Sequence, residues 1–124
     1  EHGLQYGDVL AVDLEPYAGL ATPDGMPPAD VARAMRRALA RINRNCPDLR
    51  ALAYLDRSTA ELGCAAGCEG WGLWLADYNP APAVPLPWHR YRAWQKSGTG
   101  VDRDEWDGDR QALYDFVRMP ANRR

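Results

Sequence analysis

Two acidic residues, Asp13 and Glu15, follow the apolar run 9–12 and precede Pro16. Side chains two positions apart in a β-strand share a face, so the two carboxylates would stand side by side, with Cα atoms roughly 6.6 Å apart. The carboxyl end of a buried strand is where α/β barrels place catalytic groups. A pair of neighbouring carboxylates is also the smallest set of catalytic groups that cleaves a glycosidic bond. The alternative is structural, because an acidic residue before a proline often only begins a turn.

The tryptophans form a second signal, since all five fall between residues 71 and 106. A buried indole N–H needs a partner, so this density favours a wet cleft whose aromatic faces could stack on sugar rings. The alternative is that the rings fill a small core.

Strand parity connects the two signals. Trp74 and Tyr78 share one face of a predicted strand, and Tyr54 lies on the strand before it. If these faces line a barrel interior, the three aromatic side chains converge above Asp13 and Glu15. The tyrosine hydroxyls could then hydrogen-bond a sugar or hold a carboxylate.

Composition bounds the class of protein. The chain has 124 residues, 26% of them charged and 46% hydrophobic, which is typical of one globular domain. The net charge of −2 argues against a nucleic-acid footprint. No apolar run approaches the roughly 20 residues that cross a bilayer, and no signal peptide is recognisable. Because the sequence opens on Glu1 close to the first predicted strand, we expect a processed or excised piece of a longer protein.

Three cysteines, Cys46, Cys64 and Cys68, form an odd set. The Ala-Ala-Gly spacer between Cys64 and Cys68 could let them close a disulfide, which would leave Cys46 free; otherwise the thiols are structural or inert. Zinc sites normally need four ligands, and no nearby histidine completes a set. We therefore expect no metal and no cofactor.

Periodicity and turn residues outline the elements. They predict a strand at 8–15, strands at 50–56, 72–78 and 89–95, a very short strand at 101–102, and a final helix at 110–118. The first helix is predicted from its apolar stripe at 31–42, with Pro27 and Pro28 in its first turn and Cys46-Pro47 ending it. Two of the strands are continuous apolar runs, which favours a mostly parallel, buried sheet.

The first predicted helix carries five arginines opposite its apolar stripe. They are Arg33, Arg36, Arg37, Arg41 and Arg44. A solvated outer face is the favoured interpretation, and a surface for an anionic partner is the alternative.

Five short motifs, VDLE, LAYLD, LWLADYN, AWQKS and VDRDEWDGD, follow one another along the chain. In this order and spacing they resemble the second half of glycoside hydrolase family 25, the Chalaropsis-type lysozymes of bacteria and phages. The resemblance runs from Asp8 to about Phe116. Members of that family cleave the β-1,4 bond between N-acetylmuramic acid and N-acetylglucosamine in peptidoglycan. It implies an α/β fold, a partial (β/α) TIM-like barrel of about the last five strands, with residues 1–124 as the C-terminal portion of the domain.

The resemblance also implies roles for particular residues. Glu15 would be the general acid, and Asp13 would stabilise the oxocarbenium-like transition state or orient the substrate's own N-acetyl group. The residues that fall where the family lines its substrate groove are Tyr54, Trp74, Tyr78, Gln95 and Asp102.

This chain departs from the family in one respect. The family has a further active-site Asp at the end of its first barrel strand, and this chain has no such strand. A complete α/β barrel takes about 250 residues, or 200 at the lower end, so this chain is long enough for about half of a barrel. We expect an N-terminal half-barrel, another protein chain or a second copy to contact the strand Val9 to Glu15 along its outer edge.

Two functions follow from these patterns. The first is a peptidoglycan hydrolase, a lysozyme or muramidase, secreted or phage-associated, whose partner is the glycan strand of the wall. We expect that the isolated chain is not a stable, active monomer on its own. The alternative is a non-catalytic carbohydrate-binding or structural module, such as part of a phage particle, derived from such an enzyme.

Overall fold

A computed structural model describes residues 3–118 of the chain. The elements are β1 (Val9–Leu14), a 3₁₀ turn (Pro23–Gly25), α1 (Pro28–Asn45), β2 (Arg50–Asp56), α2 (Arg57–Glu61), β3 (Gly72–Ala76), β4 (Ala93–Ser97), β5 (Arg103–Trp106) and α3 (Arg110–Arg118). The five strands form one sheet in the order β1-β2-β3-β4-β5. Strands β1 to β4 run parallel, and β5 runs antiparallel to β4. The architecture is mixed α/β, as the element order predicts.

Helix α1 covers one face of the sheet, which we call the outer face. Two prolines, Pro27 and Pro28, occupy its first turn, where a missing N–H costs nothing. The helix ends at Asn45, because the residue before Pro47 is disfavoured in helical geometry. Its buried stripe includes Met35 and Leu39, which are almost completely inaccessible to solvent.

The core lies between α1 and the outer face. The strand residues buried in the same cluster as Met35 and Leu39 of α1 are Ala51, Ala53, Leu55, Leu73 and Leu75. Burying one leucine side chain stabilises a fold by about 1.5–3 kcal/mol, so this layer is the main source of stability. The opposite face, which we call the inner face, carries alternate residues of the same strands, among them Asp13, Tyr54 and Trp74.

Several strand boundaries differ from the sequence prediction. Strand β4 begins at Ala93 rather than at residue 89, because residues 89–92 form bends and irregular backbone. Strand β5 begins at Arg103 rather than at residue 101, after a glycine-rich reversal. Strand β3 ends at Ala76, two residues before the predicted end.

The cysteines do not form the disulfide that the spacer permitted. Cys46, Cys64 and Cys68 are free thiols, and Cys64 and Cys68 are completely buried. Burial raises the pKa of the Cys64 thiol, and the nearby Asp56 carboxylate adds to this. These two cysteines therefore act as small apolar side chains of the core.

Most of the tryptophans also serve the core rather than a cleft. Trp71, Trp88 and Trp94 are buried. The indole N–H of Trp88 donates to the backbone carbonyl of Trp71 at 2.8 Å. The indole N–H of Trp94 donates to the backbone carbonyl of Asp77 at 2.6 Å. Trp106 packs on Phe116, with ring centroids 5.0 Å apart. The core alternative was thus correct for Trp71, Trp88 and Trp94, whereas Trp74 and Trp106 are only half-buried.

Strand β1 lies at one edge of the sheet. Within residues 3–118 its outer edge pairs with no strand, and its inner-face residues Ala11 and Asp13 are exposed. The prediction of a buried sheet therefore holds for the outer face and fails for the inner face of β1. None of the helices in the described part of the chain has the length and apolar character of a membrane span.

Candidate active site

A cavity of about 370 Å³ opens on the inner face, at the carboxyl ends of the parallel strands. We call it the acidic cavity. Its lining residues are Ala11, Asp13, Glu15, Tyr54, Trp74, Gln95, Asp102 and Asp104. The register explains the grouping, since Asp13 pairs with Tyr54 and Tyr54 with Trp74, while Gln95 pairs with Asp104. Paired residues of adjacent strands point to the same face, so two rows of side chains meet here.

Asp13 and Glu15 occupy the same wall of the cavity, as their spacing of two predicts. Asp13 is the next-to-last residue of β1, and Glu15 follows the strand directly. Both side chains are exposed, and both remain accessible from solvent through the open inner face. Two carboxylates at one strand end can exchange a proton with a bound molecule and stabilise a positive charge on it.

Tyr54 lies between this carboxylate pair and the rest of the cavity. Its hydroxyl donates to Gln95 Oε1 at 2.8 Å. Burial raises the pKa of Tyr54 well above its ordinary value, and the negative charge of Glu15 raises it further. The phenol is therefore protonated at neutral pH.

Gln95 joins two tyrosines. Its Oε1 also accepts a hydrogen bond of 3.0 Å from the Tyr78 hydroxyl. The Gln95 side chain is buried, so the acceptor is held in place by its surroundings. Both hydroxyls donate to Gln95, and the Tyr54 hydroxyl also interacts with the Glu15 carboxylate. Each tyrosine oxygen keeps lone pairs that can accept hydrogen bonds from a ligand's N–H or O–H groups.

Tyr78 reaches Gln95 because residue 98 is a glycine. A Cβ atom at Gly98 would lie 2.6 Å from the Tyr78 hydroxyl oxygen, closer than such contacts occur. Burial raises the pKa of Tyr78, and Asp102 and Glu15 contribute in the same direction.

Trp74 forms the aromatic wall. Its indole Nε1 donates to Asp104 Oδ1 at 2.7 Å, and its ring meets Tyr54 edge-to-face with centroids 5.2 Å apart. The two contacts hold the indole against the cavity, where it is only half-buried. A half-buried, fixed aromatic surface is suited to stacking on the apolar face of a sugar ring.

The structure thus brings the predicted site residues together. Six of the seven line the acidic cavity, and Tyr78 reaches it through its bond to Gln95. Their catalytic and binding roles remain predictions.

Sequence reasoning missed Asp104, which holds the indole of Trp74. Its spacing of two from Asp102 was the available signal, because alternate residues of an extended segment share a face. The strand predicted at 101–102 ended before Asp104, so Asp104 was not assigned to a strand face.

Sequence reasoning also missed Asp77, which secures the loop after Tyr78. Its carboxylate accepts hydrogen bonds from the backbone amides of Asn79 and Ala83, at 3.1 and 3.0 Å. Burial works to raise the pKa of Asp77, but these bonds outweigh it and the pKa is lowered. An Asp-x-Asn turn signal was present in the sequence, though nothing there showed that the loop supports the cavity.

Metal binding has no obvious place in the described part of the chain. Among residues 3–118, no group of three or more His, Cys, Asp or Glu side chains is arranged to hold an ion. The chemistry available in the acidic cavity is that of carboxylates, phenols and amides.

No protein-family model and no curated protein matches this sequence. A solved structure does: a muramidase from Acremonium alcalophilum matches with a TM-score of 0.70 and 21% sequence identity. The two chains share a fold. The match covers 87% of this chain and 55% of the muramidase chain, so this chain spans about half the length of that protein.

Proposed function

We propose that this chain carries the acid–base site of a peptidoglycan hydrolase, an N-acetylmuramidase of the family 25 type. The observation that carries the proposal is the placement of Asp13 and Glu15 on one wall of the acidic cavity, at the carboxyl end of a parallel strand. The fold shared with a muramidase supports it. Cleavage would take place at the β-1,4 bond between N-acetylmuramic acid and N-acetylglucosamine.

Each site residue has a role in this proposal. Glu15 protonates the leaving oxygen as the glycosidic bond breaks, and Asp13 stabilises the positive charge that develops on the sugar ring or orients its N-acetyl group. Trp74 stacks on a sugar ring, and Tyr54 accepts a hydrogen bond from the substrate. The remaining groove residues, Tyr78, Gln95 and Asp102, orient the glycan.

The same proposal gives the sheet its place in a larger fold. Five strands with β1 at an open edge and an exposed inner face fit the C-terminal portion of a TIM-like barrel. An N-terminal half-barrel or another protein chain would then pair with the outer edge of β1 and cover Ala11. Action on the cell wall places the protein outside the cell or on a phage.

The test compares Glu15→Gln with a matched control, Glu61→Gln, in the native protein. Glu61 is exposed on α2 and pairs with Arg57, so the control makes the same chemical change away from the cavity. Release of new N-acetylmuramic acid reducing ends from purified peptidoglycan is the measurement. We expect Glu15→Gln to lower turnover by about 10²–10⁴-fold, because the amide cannot donate the proton, while Glu61→Gln stays near wild type.

A non-catalytic carbohydrate-binding module is the second candidate, favoured by the exposed inner face of β1 and by the half-length match. Co-sedimentation with peptidoglycan separates the two. Binding that Trp74→Ala weakens, with no reducing ends formed by the native protein, would identify a binding module. Normal cleavage by Glu15→Gln would move the acid role to another residue.

A further inference from the structure

Helix α1 presents a strongly positive surface on the side that faces away from the sheet. We call it the arginine face, and its members are Arg33, Arg36, Arg37, Arg41 and Arg44. The helix contains only one acidic residue, Asp30. Like charges three and four positions apart destabilise a helix, so stability alone does not favour this arrangement.

Few of these guanidinium groups are neutralised within residues 3–118. Arg33 forms an exposed ion pair with Asp30 at 3.0 Å, and Arg36 donates to the carbonyl of Ala66. Arg37, Arg41 and Arg44 form no ion pair or hydrogen bond with any described residue. A helix face that is merely solvated typically alternates charges of both signs, which this one does not.

The arginine face borders a groove rather than a flat surface. A cavity of about 670 Å³ is lined by the five arginines together with Ala40, Gly67 and Trp71. Trp71 is buried, and its indole N–H has no acceptor among the described residues. Gly67 has a φ of +80°, and a Cβ there would press on the Arg36 side chain at 3.1 Å, so the absence of a side chain keeps the groove open.

Charge is segregated across the molecule. The acidic cavity holds four carboxylates, Asp13, Glu15, Asp102 and Asp104, on the inner face. The arginine face lies on the far side of α1, with the sheet in between. An anionic polymer would be repelled from the acidic cavity and attracted to the opposite side of the protein, so both sites could be occupied at once.

We propose that the arginine face binds a linear phosphodiester polymer attached to the cell wall, of the polyol-phosphate kind, and so holds the protein on its substrate. The choice of occupant rests on the proposed function, because a wall hydrolase meets such polymers on the same particle as its glycan. Guanidinium groups bind phosphate oxygens through paired hydrogen bonds. Arg33, Arg37 and Arg41 recur every four residues, about 6 Å apart along the helix axis, and a flexible polymer can adjust its phosphates to that repeat.

The first test measures binding to soluble poly(glycerol phosphate), which contains no glycosidic bond for the protein to cleave. The variant combines Arg37→Gln, Arg41→Gln and Arg44→Gln. The matched control combines Arg57→Gln, Arg90→Gln and Arg110→Gln, which removes the same charge from other exposed positions. We expect the first variant to lose about tenfold or more in affinity and the control to stay within about twofold, with both folded by circular dichroism. Equal affinities for the two variants, or no binding by the wild type at low salt, would overturn the proposal.

A second experiment fixes the source of the phosphate. Wall particles with their phosphodiester polymer intact should retain the wild-type protein more strongly than particles from which acid has stripped the polymer, and the arginine variant should not distinguish them. Competition by duplex DNA as effective as that by poly(glycerol phosphate) would contradict a wall polymer and indicate a general polyanion surface. The assay with poly(glycerol phosphate) measures binding and does not depend on hydrolysis. Loss of muramidase activity in Glu15→Gln would therefore leave the binding of this polymer unchanged.

Discussion

The two faces of the sheet use the same strands in different ways. On the outer face, Leu55 and Leu75 are completely buried in the apolar core. On the inner face, their neighbours Tyr54 and Trp74 are half-buried and hold hydrogen bonds to Gln95 and Asp104. The outer face is closed and apolar, whereas the inner face holds the open, polar acidic cavity.

The difference shows how the protein separates stability from chemistry. Because side chains alternate along a strand, a single residue step moves from the core to the cavity. Apolar contacts on the outer face depend on volume and tolerate small shifts in direction. Hydrogen bonds on the inner face depend on particular donors and acceptors at particular distances. Substitutions on the two faces should therefore affect different measurements.

The largest expected effect on folding comes from Leu39→Ala. This leucine is completely buried between α1 and the outer face, so the substitution leaves a cavity and should lower the free energy of unfolding by about 2–5 kcal/mol. Urea denaturation measures it. Leu62→Ala, at a position that is 47% exposed, should change stability by less than about 0.5 kcal/mol. Equal losses in the two variants would show that α1 does not carry the core.

Gln95→Leu should have a smaller effect on stability and a clear effect on glycan binding. It removes the acceptor shared by the Tyr54 and Tyr78 hydroxyls, at a cost of about 1–3 kcal/mol. Titration with a soluble muropeptide oligomer should show weaker binding. The control is Gln111→Leu on the exposed side of α3, which should leave binding unaltered. Unchanged binding in Gln95→Leu would mean that the tyrosines do not need to be held together.

Gly98→Ala tests the same contact with less disturbance. The new methyl group would collide with the Tyr78 hydroxyl, which sits at the far end of an exposed side chain and can swing away. We expect thermal stability within about 0.5 kcal/mol of wild type, since surface changes rarely exceed that, and a loss of glycan affinity. Gly100→Ala is the comparison, because a Cβ atom at Gly100 would meet no other atom within 4 Å. The positive φ of +80° at Gly100 adds backbone strain to this variant. Stronger glycan binding in Gly98→Ala would contradict a role for Tyr78.

The smallest effect concerns alkaline pH. The pKa of Tyr54 is raised in the folded protein, so above its ordinary value near 10 the unfolded chain releases a proton that the folded chain keeps. The stabilisation from Tyr54 is fully present below pH 10 and is lost as pH rises through the raised value. Urea denaturation of Tyr54→Phe should therefore show a shallower fall in stability between about pH 10 and 11 than the wild type does. If the free energy of unfolding fell equally with pH in the wild type and in Tyr54→Phe, the Tyr54 phenol would have the same pKa in the folded and unfolded chain.

Much of the framework could be predicted because it depends on local patterns. The second strand, 50–56, and the final helix, 110–118, have the predicted bounds, and α1 begins at its prolines and ends before Cys46-Pro47 as predicted. Strands β4 and β5 were displaced by a few residues, since their limits depend on which backbone groups find partners across the sheet. The possible Cys64–Cys68 disulfide is not formed, because a short spacing in the sequence permits such a bond without requiring it.

The sequence by itself determined that Asp13 and Glu15 share a side, because the period of two is a property of any strand. It also determined the two-sided character of α1, with leucine and methionine on one side and arginine on the other. Only the tertiary structure decided that Gln95 accepts from two tyrosines, and that Asp104 rather than a core carbonyl holds Trp74. Those contacts join residues that are 17 to 41 positions apart, and the parallel register of β2, β3 and β4 together with the antiparallel pairing of β4 and β5 brings them together. Register is a long-range property, so no local pattern in the chain could specify it.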